Sequence, residues 1–256
     1  MQNNTFSTLF VGQNLIKLSA VDSTNNFLKS LVSNSEPLPE GTVIMADEQY
    51  AGRGQQNNVW KAEPGKNLTF SVLLRPGFLP LNQQFLLNIV VSLAINDVLT
   101  RFLGEGLTIK WPNDIYFRNQ KIGGVLIENS IMGNDIKTAI IGIGINVNQQ
   151  HFALELTDKA TSLFQILQKD VNLMVLLAEI CSALESLYLQ LRRGKHTDLR
   201  KNYVDKLYQL NKKARYQKDG EVFEGTIKGV ADSGLLLMEI QSSTQEFNFK
   251  EITFLN

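Results

Sequence analysis

Four short segments carry side chains able to handle charged or polar small molecules. Ser23-Thr24-Asn25 sets three hydrogen-bonding side chains where a helix begins. Gln49-Tyr50-Ala51-Gly52-Arg53-Gly54 places a guanidinium between two glycines, so that backbone amides can approach an anion closely. Trp60 and Pro64-Gly65-Lys66-Asn67 follow it. Lys110-Trp111-Pro112-Asn113-Asp114, with Lys121-Ile122-Gly123-Gly124, gathers two ammonium groups, a carboxylate and an amide around a Trp-Pro pair. Gly142-Ile143-Gly144-Ile145-Asn146-Val147-Asn148 alternates small and apolar residues, which suits a strand against whose backbone a ligand can lie. Each segment also has a plain structural reading: an N-cap, a flexible loop, a solvated hairpin, a buried strand. None is a common nucleotide signature. Gly142 and Gly144 lack the third glycine of a dinucleotide fingerprint, no GxxxxGK[ST] occurs, and no kinase set is present.

These segments need elements to hold them. Residues 15–18 read as a short strand, and Asp22 and Ser23 offer N-caps for an amphipathic helix over 24–32. Residues 36–41 are a loop, 42–46 a strand, 49–66 a long loop without apolar period, and 67–74 a strand. Leu86, Ile89, Val90, Leu93, Ala94 and Val98 recur at helical spacing and predict a helix over 83–102, stopped by Gly104. Strands follow at 107–110, 125–129 and 138–147. A second strong helix spans 171–193, with Asp170 as N-cap and Gly194 at its end, and a shorter one spans 199–210. Turn signals at Lys218-Asp219-Gly220 and Asp232-Ser233-Gly234 then separate strands at 222–230, 235–240 and 246–255. That last unit is too small to hold a large core of its own and leans on the rest.

Composition narrows the classes. The chain has 256 residues, 43% apolar and 20% charged, the balance of a globule with a real core. Lys plus Arg number 25 and Asp plus Glu number 25, so no net charge draws the chain to nucleic acid or an anionic membrane. Cys181 is the single cysteine and His151 and His196 the only histidines, which argues against disulfides and against Cys- or His-built metal sites. Cys181 is expected to be buried, and the two histidines to face solvent. No uninterrupted apolar run approaches the roughly 18 residues of a membrane span, and the N-terminus lacks the pattern of a secretory signal, so a cytoplasmic protein is expected.

Taken together, the four segments resemble the biotin protein ligases. Members carry an STN start, a GRG loop followed by a Trp and a PxGxNL stretch, a KWPND segment with a Lys seven residues after its Asp, and a GxGxN strand. Here these are Ser23 to Asn25, Gly52 to Gly54 with Trp60 and Pro64 to Leu68, Lys110 to Asp114 with Lys121, and Gly142 to Asn146. The resemblance implies an α+β fold, with a large mixed sheet and packed helices of the class II synthetase-like kind in a ligase domain over 1–207. A small SH3-like β-barrel over 208–256 completes it. It implies a two-step enzyme that uses biotin, ATP and Mg2+ to make biotinyl-5′-AMP and passes biotin to a lysine of a biotin carboxyl carrier protein. No dedicated protein metal site is implied, nor a nucleic-acid or membrane partner, and monomer and homodimer both stay open.

The resemblance also implies roles. Lys121, Arg53 and Asp114 would be catalytic. Lys121 would contact the biotin carboxylate and the α-phosphate, and Asp114 would orient the incoming amine or help hold magnesium. Biotin would lie among Ser23, Thr24, Asn25, Gln49, Gly52, Arg53, Gly54, Gln55, Lys121, Gly123 and Gly124. The nucleotide would lie among Arg53, Trp60, Asn67, Lys110, Asn113, Lys121 and Asn146, with Trp60 covering the adenine. Two departures stand out. Many members carry further arginines after GRG, where this chain reads Gln55-Gln56-Asn57-Asn58. The motifs also begin near residue 20, so a DNA-binding domain ahead of them, and a repressor role, are not expected. A lipoate or octanoate ligase shares the fold, but the GRG…Trp and KWPND pairing argues against it. A non-catalytic biotin or nucleotide sensor would use the same pocket, and Lys121 argues against that.

Overall fold

Leu68–Leu74 is buried along its whole length, so it must lie inside a sheet covered on both faces. The computed structural model of the chain describes residues 6–34, 37–55 and 58–255. The first five residues, Ser35, Glu36, Gln56, Asn57 and Asn256 lie outside the described residues.

The large sheet holds β1 (Leu15–Val21), β2 (Val43–Gln49), β3 (Leu68–Leu74), β4 (Leu107–Lys110), β5 (Asp114–Phe117), β6 (Gln120–Met132) and β7 (Asp135–Ile145). Their order is β1-β2-β3-β7-β6-β5-β4, with β1 parallel to β2 and every other pair antiparallel. It is the mixed sheet expected. Helix α1 (Thr24–Asn34) covers one face, packing Leu28 against Ile44, Leu73 and Ile140. Helices α2 (Phe85–Leu103) and α4 (Leu173–Arg192) cover the other, with Phe70, Val72, Ile141 and Ile143 beneath them. The short α3 (Leu163–Leu167) and α5 (His196–Asp205) complete the helices. Both α2 and α4 are long and apolar enough to cross a bilayer, although polar residues interrupt the apolar run in each. Thirteen of the 19 residues of α2 are buried, as befits a central core helix that is apolar all round.

The chain's end forms a second, five-stranded antiparallel sheet in the order β11-β10-β9-β8-β12. Its strands are β8 (Lys213–Lys218), β9 (Glu221–Val230), β10 (Leu236–Ile240), β11 (Ser243–Phe247) and β12 (Thr253–Leu255). Tyr216, Ile227, Leu236, Met238, Phe247 and Ile252 belong to the same hydrophobic cluster as α2 and α4, so this unit does lean on the rest.

Several expected boundaries move, each for a visible reason. The N-cap of α4 is Asn172, whose side chain accepts from Met174 N and Val175 N. Asp170 cannot serve, because Asn148 pins Val171 through both its N–H and its C=O and starts the helix later. Helix α5 ends at Asp205 because the chain then crosses to β4, where Tyr208 N donates to Ile109 O. The strand expected over 246–255 is two strands, broken by a turn in which Lys250 sits at φ 61°. Strands β5 and β8 were not expected. Each is short and polar on its open side, so neither shows a clean alternation. Cys181 is buried, and burial, with Glu185 nearby, pushes its thiol up to about 12. His151 is exposed and His196 half-buried.

Candidate active site

The cleft follows from strand pairing. Side chains alternate across a strand, so residues 69, 71 and 73 of β3 face the α1 side, as do 140, 142 and 144 of β7. Leu73 and Ile140 fill the space under α1. Further along, the residues facing that side are small: Ser71 pairs with Gly142, Thr69 with Gly144, and Gly124 of β6 with Gly144 from the other side. The side-chain layer thins there, and a cleft of about 640 Å³ opens, lined by Thr69, Leu126 and the glycines Gly124, Gly142 and Gly144. That size suits a small organic ligand. The glycines are required by close approach. A Cβ on Gly142 would stand 2.5 Å from Asn25 Oδ1, and one on Gly144 would stand 2.5 Å from Trp60 Cε2.

At the α1 end the wall is a buried polar network. Thr24 N and Thr24 Oγ1 both donate to Gln49 Oε1, at 2.7 and 3.0 Å. Ser71 Oγ lies 2.7 Å from Thr24 Oγ1 and 2.6 Å from Asn25 Oδ1. Asn25 Nδ2 donates to Glu128 Oε2 at 2.8 Å. Ser23, Thr24 and Asn25 are each at most 3% exposed. The triplet that could have been a mere helix start thus lines the cleft.

In the middle stand Lys121 and Asp114. Strands β5 and β6 pair Asp114 with Gly124, and the Lys121 chain folds across that glycine to bring Nζ to 2.6 Å from Asp114 Oδ1. A Cβ on Gly124 would touch both groups at 3.1 Å. The Trp111–Pro112 turn carrying this pair is no solvated hairpin: Trp111 and Asn113 are buried. Lys110 is half-buried, its Nζ 4.9 and 4.7 Å from the Tyr116 and Phe254 ring centres. Burial lowers its pKa from the usual lysine value, Asp114 pulls it back up, and Lys121 lowers it further. The opposite rim comes from the second sheet: Lys250, Ile252, Thr253 and Phe254.

The structure brings Ser23, Thr24, Asn25, Gln49, Arg53, Gly54, Gln55, Trp60, Lys110, Asn113, Asp114, Lys121 and Gly124 to one cleft wall. It does not bring Gly52, Asn67, Gly123 or Asn146 to that wall. Asn67 accepts from Val147 N and donates to Gln149, and Asn146 Nδ2 donates to Thr161 O, so these amides brace the loops behind it. Asn113 lies at the wall with its amide taken up by Asn88, Val125 O and Gln55. The Arg53 guanidinium is also engaged, with Glu128 at 2.9 and 3.2 Å and Asn26 at 2.6 Å. Sequence reasoning missed Ser71, Glu128 and Lys250. Ser71 and Thr69, two hydroxyl residues spaced to share one face of an otherwise apolar strand, were the available signal for Ser71. Glu128 and Lys250 gave none, since a charged side chain is ordinary in a strand or turn.

Burial pushes the Glu128 carboxyl up, but hydrogen bonds from Asn25 and Arg53, with the Arg53 and Lys29 charges, outweigh it and hold the group below its ordinary value of 4.5. A depressed carboxylate stabilises the fold above its unfolded pKa, and that stability is lost as pH falls through the folded pKa. Glu128→Gln is therefore expected to lower stability at pH 7 by about 1 kcal/mol, a low figure because Arg53 is partly exposed. The gap between the two proteins should close as pH falls below 4.5. Denaturant unfolding at pH 7 and in acid checks this; a gap that persists unchanged in acid would contradict it.

The chain is similar to known proteins over these segments. A model of the biotin/lipoate A/B protein ligase family matches residues 18–146. The bifunctional ligase/repressor BirA of Bacillus subtilis is 31% identical over 247 residues, covering 96% of this chain and 75% of that protein. The biotin–[acetyl-CoA-carboxylase] ligase of Paracoccus denitrificans is 35% identical over 134 residues, 51% of this chain and 53% of that one. Among solved structures, a biotin protein ligase from Aquifex aeolicus in complex with biotin and ATP superposes with a TM-score of 0.79. It is 29% identical and covers 95% of this chain and 99% of that one.

Proposed function

The chain belongs to the biotin/lipoate A/B protein ligase family, and from that membership and the shape of the cleft we propose that it joins biotin to a carrier-protein lysine at the expense of ATP. The carrying observation is the Lys121–Asp114 pair, set over Gly124 between a polar amide wall and the rim that carries Lys250.

In the first step a biotin carboxylate oxygen attacks the α-phosphorus of ATP. The bond from that phosphorus to the bridging oxygen breaks, and pyrophosphate leaves. Both reactants are anionic, so the main tasks are to hold them in line and to stabilise the charge. Lys121 places a compact charge at that junction. The ureido ring of biotin is neutral and polar, and the Thr24, Asn25 and Gln49 wall, backed by Ser71, offers it donors and acceptors. Trp60, whose indole lies against Gly144, offers a flat surface for adenine. Magnesium, brought with ATP, neutralises phosphate charge. Asp114 is the carboxylate on the cleft wall, which fits an ion held by one or two carboxylates and the substrate's own phosphates.

In the second step the carrier lysine nitrogen attacks the acyl carbon, the acyl–oxygen bond to phosphate breaks, AMP leaves, and the amine gives up a proton. Asp114 orients that amine. The partner is a biotin carboxyl carrier domain of a carboxylase. Residues 1–207 form the ligase domain. The end unit, 208–256, is read as an SH3-like barrel, five antiparallel strands with an irregular register at Leu237 and Met238.

The test is the purified chain with ATP, magnesium and a carrier domain, given biotin or lipoate in separate reactions and read by intact mass. Biotin addition to the carrier lysine is the expected result. Lipoate addition with no biotin addition would overturn the reading, as would no acyl transfer at all.

A further inference from the structure

The turn between β11 and β12 is built more firmly than its exposure suggests. Asn248 N donates to Glu251 Oε2, Glu251 N donates to Asn248 O, and Phe249 N donates to Asn248 Oδ1. Phe249 sits with its ring centre 5.1 Å from Trp111 and 6.1 Å from Phe85. Lys250 follows in the left-handed region, and its Nζ lies 3.2 Å from the carbonyl oxygen of Gln55, across the cleft mouth. Lys250 lines the cleft with Lys110, Lys121 and Arg53.

The four cations are not equivalent. Arg53 is paired with Glu128 and Lys121 with Asp114. Lys110 is half-buried between aromatic rings and close enough to Asp114 to feel its charge. Lys250 pairs with no carboxylate among the described residues. Its neighbour Glu251 is taken by Lys218 and by Asn248 N. Lys250 is thus a charge held at the cleft by a neutral carbonyl, a weaker partner than an anion. It also stands next to Gln55, in the stretch where this chain has amides in place of the arginines of many relatives.

Resting on the ligase reading, we propose that Lys250 binds the β- and γ-phosphates of ATP, the part that leaves as pyrophosphate. Biotin takes the amide wall and the carboxylate–phosphate junction falls at Lys121. Adenine takes the Trp60 ring. The rest of the triphosphate is then left the rim where Lys250 stands. The residue acts in adenylate formation and has no contact with biotinyl-AMP, which lacks those phosphates. It is a triphosphate-binding residue supplied by the second sheet.

The experiment uses the full chain with Lys250→Ala and Lys250→Arg. Steady-state adenylate formation is measured against ATP and against biotin, pyrophosphate inhibition is titrated, and transfer is followed from preformed biotinyl-AMP. Lys250→Ala is expected to raise KM for ATP and weaken pyrophosphate inhibition by about tenfold or more, the effect of losing one charged hydrogen bond. KM for biotin and the transfer rate should stay within about twofold, and Lys250→Arg should restore most of the loss. Unchanged ATP and pyrophosphate terms in Lys250→Ala would overturn the assignment. So would equal losses for ATP, biotin and transfer, which would show Lys250 merely propping the Gln55 loop. A wild-type chain that makes no biotinyl-AMP would instead remove the ligase reading, and this assignment with it.

Discussion

Lys121→Ala is expected to cut biotinyl-AMP formation by about a hundred- to thousandfold while the protein stays folded. Its ammonium is held over Gly124 by a carboxylate, Asp114, at 2.6 Å. Removing it deletes a charge positioned before the reaction, where two anions must meet. The fold has little to lose. Lys121 and Asp114 are each one-third exposed, and pairs of that kind contribute at most about 1 kcal/mol. For a chain of this size that corresponds to a shift in Tm of about 2–4 °C. Lys121 N and O remain bonded to Lys159 O and Thr161 N, so the backbone of β6 keeps its place. Single-turnover assays of pyrophosphate release, beside thermal unfolding, give both numbers. A variant that adenylates biotin at close to the wild-type rate would remove Lys121 from the reaction.

Trp111→Ala is expected to have the largest effect on stability, about 3–5 kcal/mol, as for other buried aromatic residues truncated to alanine. At about 2–4 °C per kcal/mol for a protein of this size, Tm should fall by about 6–20 °C. Trp111 is 6% exposed and joins three parts of the molecule. It sits in the β4–β5 turn, its Nε1 donates to Gly234 O at 3.0 Å, and its ring meets Phe249. The neighbouring Pro112 carbonyl accepts from Tyr203 of α5 at 2.6 Å. Losing the indole leaves a cavity between the two sheets and frees the turn that carries Lys250. KM for ATP should rise with it, more than KM for biotin, because the amide wall is on the far side of the cleft. Calorimetric unfolding and ATP kinetics check the pair of effects. A Tm within about 2 °C of wild type would mean that the second sheet is held by other contacts.

The order of the motifs and the type of most elements could be read from residues alone, for local reasons. Helix α2 announces itself because its apolar residues recur at helical spacing, and β3 because seven consecutive residues suit a covered strand. The chemistry of Lys121, Asp114, Trp60 and Ser23 to Asn25 was legible because their types and spacing match a family pattern. Tertiary structure alone decided which of these residues face one cleft. The register that pairs Ser71 of β3 with Gly142 lays a strand distant in sequence against the β6–β7 hairpin, whose own register pairs Gly124 with Gly144. No local pattern encodes that alignment. The same holds for Arg53, whose motif suggested a phosphate and whose guanidinium lies on Glu128, 75 residues away. Asn67 and Asn146 also match the motif, yet the backbone groups they satisfy belong to loops brought beside them by folding. Lys250 shows the limit most plainly. It is one lysine in a polar turn of another sheet, and it reaches the cleft because Phe249 packs on Trp111, a contact that burial of aromatic surface creates only once the whole chain has folded.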